Sequence, residues 1–132
     1  MLVTAAARLR WHELLTSLPD PSHASPATPS ARLHDVLYPA LVRAVAERPL
    51  LGRLFPVAQR YAVTLRRSPE DAVDIGTAAV SIPHCYGSDE RGPYWLMDRP
   101  SGDLLAHGQL GEIVDLLERR AVAVLSTNDR RR

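Results

Sequence analysis

The chain has 132 residues, a length for one domain with a single modest core. Apolar residues make up 45% of it, charged residues 23%, and the formal net charge is +1, a globular composition that supplies no field for nucleic acid or an anionic membrane. All 16 basic residues are arginine, which excludes a lysine Schiff base and a P-loop lysine, and the lone Cys85 excludes an internal disulfide and fits a reducing cytoplasm.

Residues 4–18 read as a helix with Ala7, Leu14, Leu15 and Leu18 at near-helical spacing, Trp11 on an adjoining face and Thr4 as a possible cap. The opening MLVTAAARLRWHELL lacks the basic-then-apolar order of a secretory signal. No apolar run approaches the roughly 18–20 residues of a membrane span, so the expectation is a soluble, cytoplasmic protein. PDPSHASPATPS, residues 19–30, carries four prolines among small residues and reads as an extended linker. The first helix is therefore tethered, and docking on its own domain, swapping onto a partner chain and remaining disordered all stay open.

The compact domain is expected over residues 31–126, beginning with an apolar turn of Leu33, Val36 and Leu37. Pro39 suits a first helical position, Leu41, Val42, Val45 and Ala46 form an apolar stripe, and Pro49 ends that helix through its constraint on Arg48. Leu50, Leu51, Leu54 and Phe55 read as a short helical turn stopped by Pro56. YAVTLRRS, residues 61–68, alternates as a half-buried strand does; SPEDAVDIG, residues 68–76, is an acidic loop, and TAAVSIP, residues 77–83, a second strand. PYWLMD, residues 93–98, and DLLAHG, residues 103–108, flank a Pro-Ser-Gly turn and predict an antiparallel hairpin. Leu110, Ile113, Val114 and Leu117 fall at i, i+3, i+4 and i+7 of a last helix, with Glu112 and Arg119–Arg120 at the ends that suit its dipole. AVAVL continues this helix or adds an edge strand, and residues 127–132 read as a disordered tail. The sum is an α+β domain: a small antiparallel sheet of three to four strands packed by N- and C-terminal helices. A sheet covered on one face leaves its other face, or an exposed edge strand, for self-association as a homodimer or for a partner.

YPALVRAVAERPLLGRLFPVAQRYAVTLRRS, residues 38–68, and PYWLMDRPSGDLLAHGQLGEIVDLL, residues 93–117, resemble a family of small actinobacterial proteins. Its members carry a proline-started helix, a leucine-rich LFP turn, an LRFS-like strand, and a glycine-bounded hairpin that ends in a helix. The resemblance, to the domain of unknown function DUF6193, covers roughly the last two-thirds of the chain and implies a role in natural-product biosynthesis, but brings no catalytic residues with it. The partners it suggests are a biosynthetic enzyme, a carrier protein or a small-molecule intermediate.

HCYGSDERGPYWLMD, residues 84–98, looks the most reactive. His84 and Cys85 are neighbours on a strand and so point apart; a catalytic cysteine there needs its imidazole from elsewhere, His107 first and His34 second. The bland reading makes Cys85 a small buried hydrophobe, and it is the stronger one. Zinc on His34, His84, Cys85 and His107 lacks any diagnostic spacing, so neither a metal nor a cofactor is expected. The acidic groups Glu70, Asp71 and Asp74, then Asp89 and Glu90, and the turn-flanking Asp98 and Asp103, read as loop and turn formers. Tyr94 and Trp95 face opposite ways. Trp95 filling the core beneath the last helix is the favoured reading; Trp95 on the outer face beside Tyr86 and His107 would instead line a ligand or partner surface. An accessory or binding protein is thus the first expectation. The alternative is a small cofactor-independent enzyme with a pocket between sheet and helices, whose catalytic candidates are His84, Cys85, His107 and Tyr94. An immunity or antitoxin-like role is a third, weaker reading.

Overall fold

A computed structural model describes residues 5–18, 36–59, 61–71, 74–80, 93–98, 101 and 103–130, the last four of these by backbone alone. Helix α1 (Ala5–Ser17) is followed by α2 (Tyr38–Glu47), a 3-10 turn (Leu51–Arg53), strands β1 (Phe55–Gln59), β2 (Ala62–Arg66), β3 (Gly76–Val80), β4 (Tyr94–Met97) and β5 (Leu104–Gly108), and helix α3 (Leu110–Arg130). The strands form one five-stranded antiparallel sheet in the order β1-β2-β3-β4-β5. The α+β class holds, with five strands where three to four were expected. The additional strand is β1, in which Pro56 follows the leucine-rich turn at once. Proline has no ladder N–H to give, and an edge strand tolerates it.

The pleat sends alternate residues of each strand to opposite faces. Ala58, Val63, Leu65, Ala78, Val80, Tyr94, Leu96 and Ala106 form the inner set, joined across the sheet by register. They pack against Leu41, Val42 and Val45 of α2, Leu51 and Leu54, and Ile113, Val114, Leu117, Ala121 and Leu125 of α3. Removing such side chains from water stabilises by roughly 1.5–3 kcal/mol each, so this layer dominates the fold. No outward-facing residue of the sheet belongs to that cluster, and the helices contribute to it from one side.

Helix α1 docks on its own domain. Its buried stripe is Ala7, Trp11 and Leu14, so Trp11 lies within the stripe, and Leu15, grouped with the apolar face in the sequence, is 38% exposed. The Trp11 indole N–H donates to the Leu54 carbonyl at 2.9 Å. Helix α2 starts with Pro39 in its first turn and ends where Arg48, before Pro49, turns extended. The Arg48 guanidinium then reaches α3, 2.7 Å from Asp115 and 3.5 Å from Glu118. Helix α3 passes through AVAVL, because Ala121 and Leu125 prolong the stripe of Ile113, Val114 and Leu117, and its backbone stays helical to Arg130, into the segment expected as a tail. No helix among the described residues is long and apolar enough to cross a membrane.

Candidate functional site: the outer face of the sheet

Two cross-strand rows make up most of the face turned away from the helices. One runs Gln59, Ala62, Ala79, Trp95, His107; the other runs Val57, Thr64, Thr77, Met97, Leu104. β2 and β3 thus contribute only alanines and threonines, while β1, β4 and β5 carry the large side chains on either side. Ala62, Thr64, Thr77 and Ala79 are all buried, so β2 is buried on both faces and not on one as its alternation suggested. The two threonine hydroxyls satisfy each other across the strands, Oγ1 to Oγ1 at 2.8 Å, and need no water.

At its far side the face is shaped by a β-bulge. Leu96 pairs with Ala106 but Met97 pairs with Leu104, which leaves Leu105 as the additional residue in β5. Leu104 and Leu105 are 49% and 46% exposed. An antiparallel sheet with one open face usually presents polar side chains there. Here the one formally charged residue among the paired outward positions is Arg66, opposite Phe55, and its Nε donates to Asp74 Oδ1 at 2.8 Å.

The sequence-derived candidates distribute as follows. Trp95 lies half-buried on the outer face, directly opposite the exposed His107. The favoured expectation that Trp95 fills the core is therefore corrected. Tyr94 takes that place, because Val80 opposite it faces the helices and because its hydroxyl finds an acceptor there, the Leu37 carbonyl at 2.9 Å. Tyr94 and His107 consequently stand on opposite faces. His34, His84, Cys85, Tyr86, Asp89 and Glu90 lie outside the described residues.

Two of the candidate carboxylates hold structural contacts: Asp74 accepts from Arg66, and Asp98 accepts from the Ser101 hydroxyl at 2.7 Å and from Arg120 Nη2 at 2.5 Å. No group of three or more His, Cys, Asp or Glu side chains among the described residues is placed to hold a metal ion.

A second aromatic cluster escaped the sequence reading. Tyr38 and Tyr61 meet edge-to-face, ring centroids 6.0 Å apart at 76°. Tyr61 closes the β1–β2 hairpin with a φ of 61°, a left-handed conformation that a bulky side chain rarely adopts. Burial pushes the Tyr38 phenol above its ordinary value, against the smaller opposing pull of the Arg10 guanidinium. Phe55, Val57, Met97, Leu104 and Leu105 were also missed as parts of one surface. The outer face offers an apolar floor, an indole and one imidazole; among the described residues it pairs no nucleophile with a base. No family model, no curated protein and no solved structure gives a significant match to this chain.

Proposed function

We propose that this chain is an accessory or binding protein of actinobacterial natural-product biosynthesis, working in the cytoplasm through the outer face of its sheet and not through chemistry of its own. The observation that supports this reading most is the apolar character of that face: Val57, Trp95, Met97, Leu104 and Leu105 around a floor of alanine and threonine, with its one formal charge already paired to Asp74. Its accessible part is the β5 rim, where Leu104 and Leu105 are about half exposed, and apolar side chains in water of this kind suit a protein or small-molecule partner. The resemblance of residues 38–68 and 93–117 to DUF6193 supplies the pathway context.

The test is a titration of the purified chain with enzymes, carrier proteins and intermediates of a candidate pathway, read by calorimetry. Saturable binding weakened about tenfold or more by Trp95→Ala is the expected result. The absence of binding to every component would remove the reading. Turnover of an intermediate by the chain alone would replace it with the enzyme reading, and His107 would then be the first residue to substitute.

A further inference from the structure

We infer that the free edge of β5 is a homodimer interface, at which β5 of one copy adds antiparallel to β5 of a second and joins the two sheets into one. This is a property of the backbone along one edge, and it is independent of the pathway reading.

Among the described residues β5 is the last strand of the sheet and pairs with β4 alone. Asp103, Leu104, Leu105 and His107 are all exposed, so water reaches most of the strand. The ladder fixes which backbone groups turn outward. The Asp98 N–H donates to the Asp103 carbonyl at 2.9 Å, which makes these two residues a hydrogen-bonded pair. Alternation along β4 then turns Leu96 and Tyr94 toward β5, where they face Ala106 and Gly108. The N–H and C=O groups of Leu104 and His107 are left for the open edge, ready for a further strand. Charge does not guard them, because Leu104–Gly108 holds no carboxylate and no guanidinium. The opposite edge differs: β1 carries Pro56, and helix α1 packs against it.

The pattern along this edge selects a second copy as the occupant. A two-fold axis perpendicular to the sheet, level with the Leu105–Ala106 bond, sets Leu104 of each copy opposite His107 of the other. Both outward-turned residues are then used in both chains, and a Leu104 isobutyl group lies beside an imidazole in each pair. The bulge at Leu105 puts the two outward-turned residues three positions apart instead of two, and a second copy meets that irregularity with the same spacing in reverse. A two-fold interface sets like beside like, so an uncharged strand suits it. The nearest carboxylates, Asp103 and the Glu112 that lies against Gly108, fall at the ends of the paired stretch. The same operation leaves only the two β1 edges free, each with its proline, so growth stops at two chains. An edge pair of five residues buries less than the roughly 1,000 Å² of a tight dimer, which places the association toward submillimolar concentration.

Sedimentation velocity of the purified full-length chain, from micromolar to millimolar concentration, tests the inference without any pathway component. A monomer–dimer equilibrium is expected. Amide hydrogen exchange followed residue by residue is the second readout. The Leu104 and His107 N–H groups should exchange about tenfold or more slowly as the dimer forms, while those of Ala106 and Gly108, turned to β4, should exchange alike at every concentration. Leu105→Lys, which puts a cation on the edge, should weaken association about tenfold or more while far-ultraviolet circular dichroism stays unchanged. Leu9→Lys, on the 59% exposed side of α1, should leave it as it is. A chain still monomeric at millimolar concentration overturns the inference and leaves pathway binding to its own titration. So does a dimer in which the Leu104 and His107 amides exchange as fast as in the monomer, or one indifferent to Leu105→Lys. Should that variant fail to fold, the exchange pattern of the wild type decides alone.

Discussion

The carbonyl of Leu54 is deep in the core, and the Trp11 indole N–H reaches it from a helix 43 positions earlier in the chain. Removing that donor while keeping a ring, as Trp11→Phe does, leaves the carbonyl short of a partner in a place water does not reach. A loss of roughly 1–3 kcal/mol in urea unfolding is expected. The sequence grouped Leu15 with the core and set Trp11 aside, since spacing counts leucines readily but carries no sign of a hydrogen-bond partner so far away. Tyr38 makes the second argument at this scale. Burial favours its neutral phenol, so its folded pKa stands above the ordinary value of a tyrosine phenol. A group whose pKa is raised on folding contributes stability that is complete below the unfolded value and lost as pH climbs through the folded one. The expected outcome is a fall in stability above about pH 10 that is smaller in Tyr38→Phe than in the wild type. Thermal melts at stepped alkaline pH check the slope, and the phenolate absorbance of the folded protein checks the direction of the shift.

Among the elements, the joint between α2 and β1 is the tightest. A Cβ at Gly52 would stand 2.5 Å from the Ala46 carbonyl oxygen, part of the last turn of α2, while the Gly52 N–H already donates to the Arg48 carbonyl at 2.8 Å. Backbone on both sides leaves nowhere to move. Gly52→Ala should therefore destabilise by about 1–3 kcal/mol, more than the ~0.4–1 kcal/mol that a stiffer unfolded chain returns. At Gly76 the nearest obstacle is the Leu117 Cδ1 methyl at 2.7 Å, the end of a rotatable side chain, so Gly76→Ala should cost less. Urea midpoints of the two variants, measured side by side, test that order. The same joint marks where the sequence became unreadable. Helices α2 and α3 were legible because proline punctuation and an i, i+3, i+4, i+7 stripe agree, and β2 to β5 because turn residues bound short apolar runs. β1 was not, because its first residues continue a leucine-rich helical pattern and its second residue is a proline. Missing β1 also hid Phe55 and Val57 from the outer face, whereas Trp95 and His107 were within reach once the hairpin was assigned.

At the scale of the whole molecule, the question is whether the outer face is dry when the protein is at work. The Thr64–Thr77 pair answers it, because the two hydroxyls bond each other at the centre of that face. In a dry face, Thr64→Val strands the hydroxyl of Thr77, and Thr77→Val strands that of Thr64, at roughly 1–3 kcal/mol each. The double substitution removes both hydroxyls together and places two β-branched apolar residues of similar shape in central strands, so it should return close to wild-type stability. In a wet face, water takes over each stranded hydroxyl, the single substitutions cost little, and the effects add. A double-mutant cycle by chemical unfolding separates the two through the coupling term.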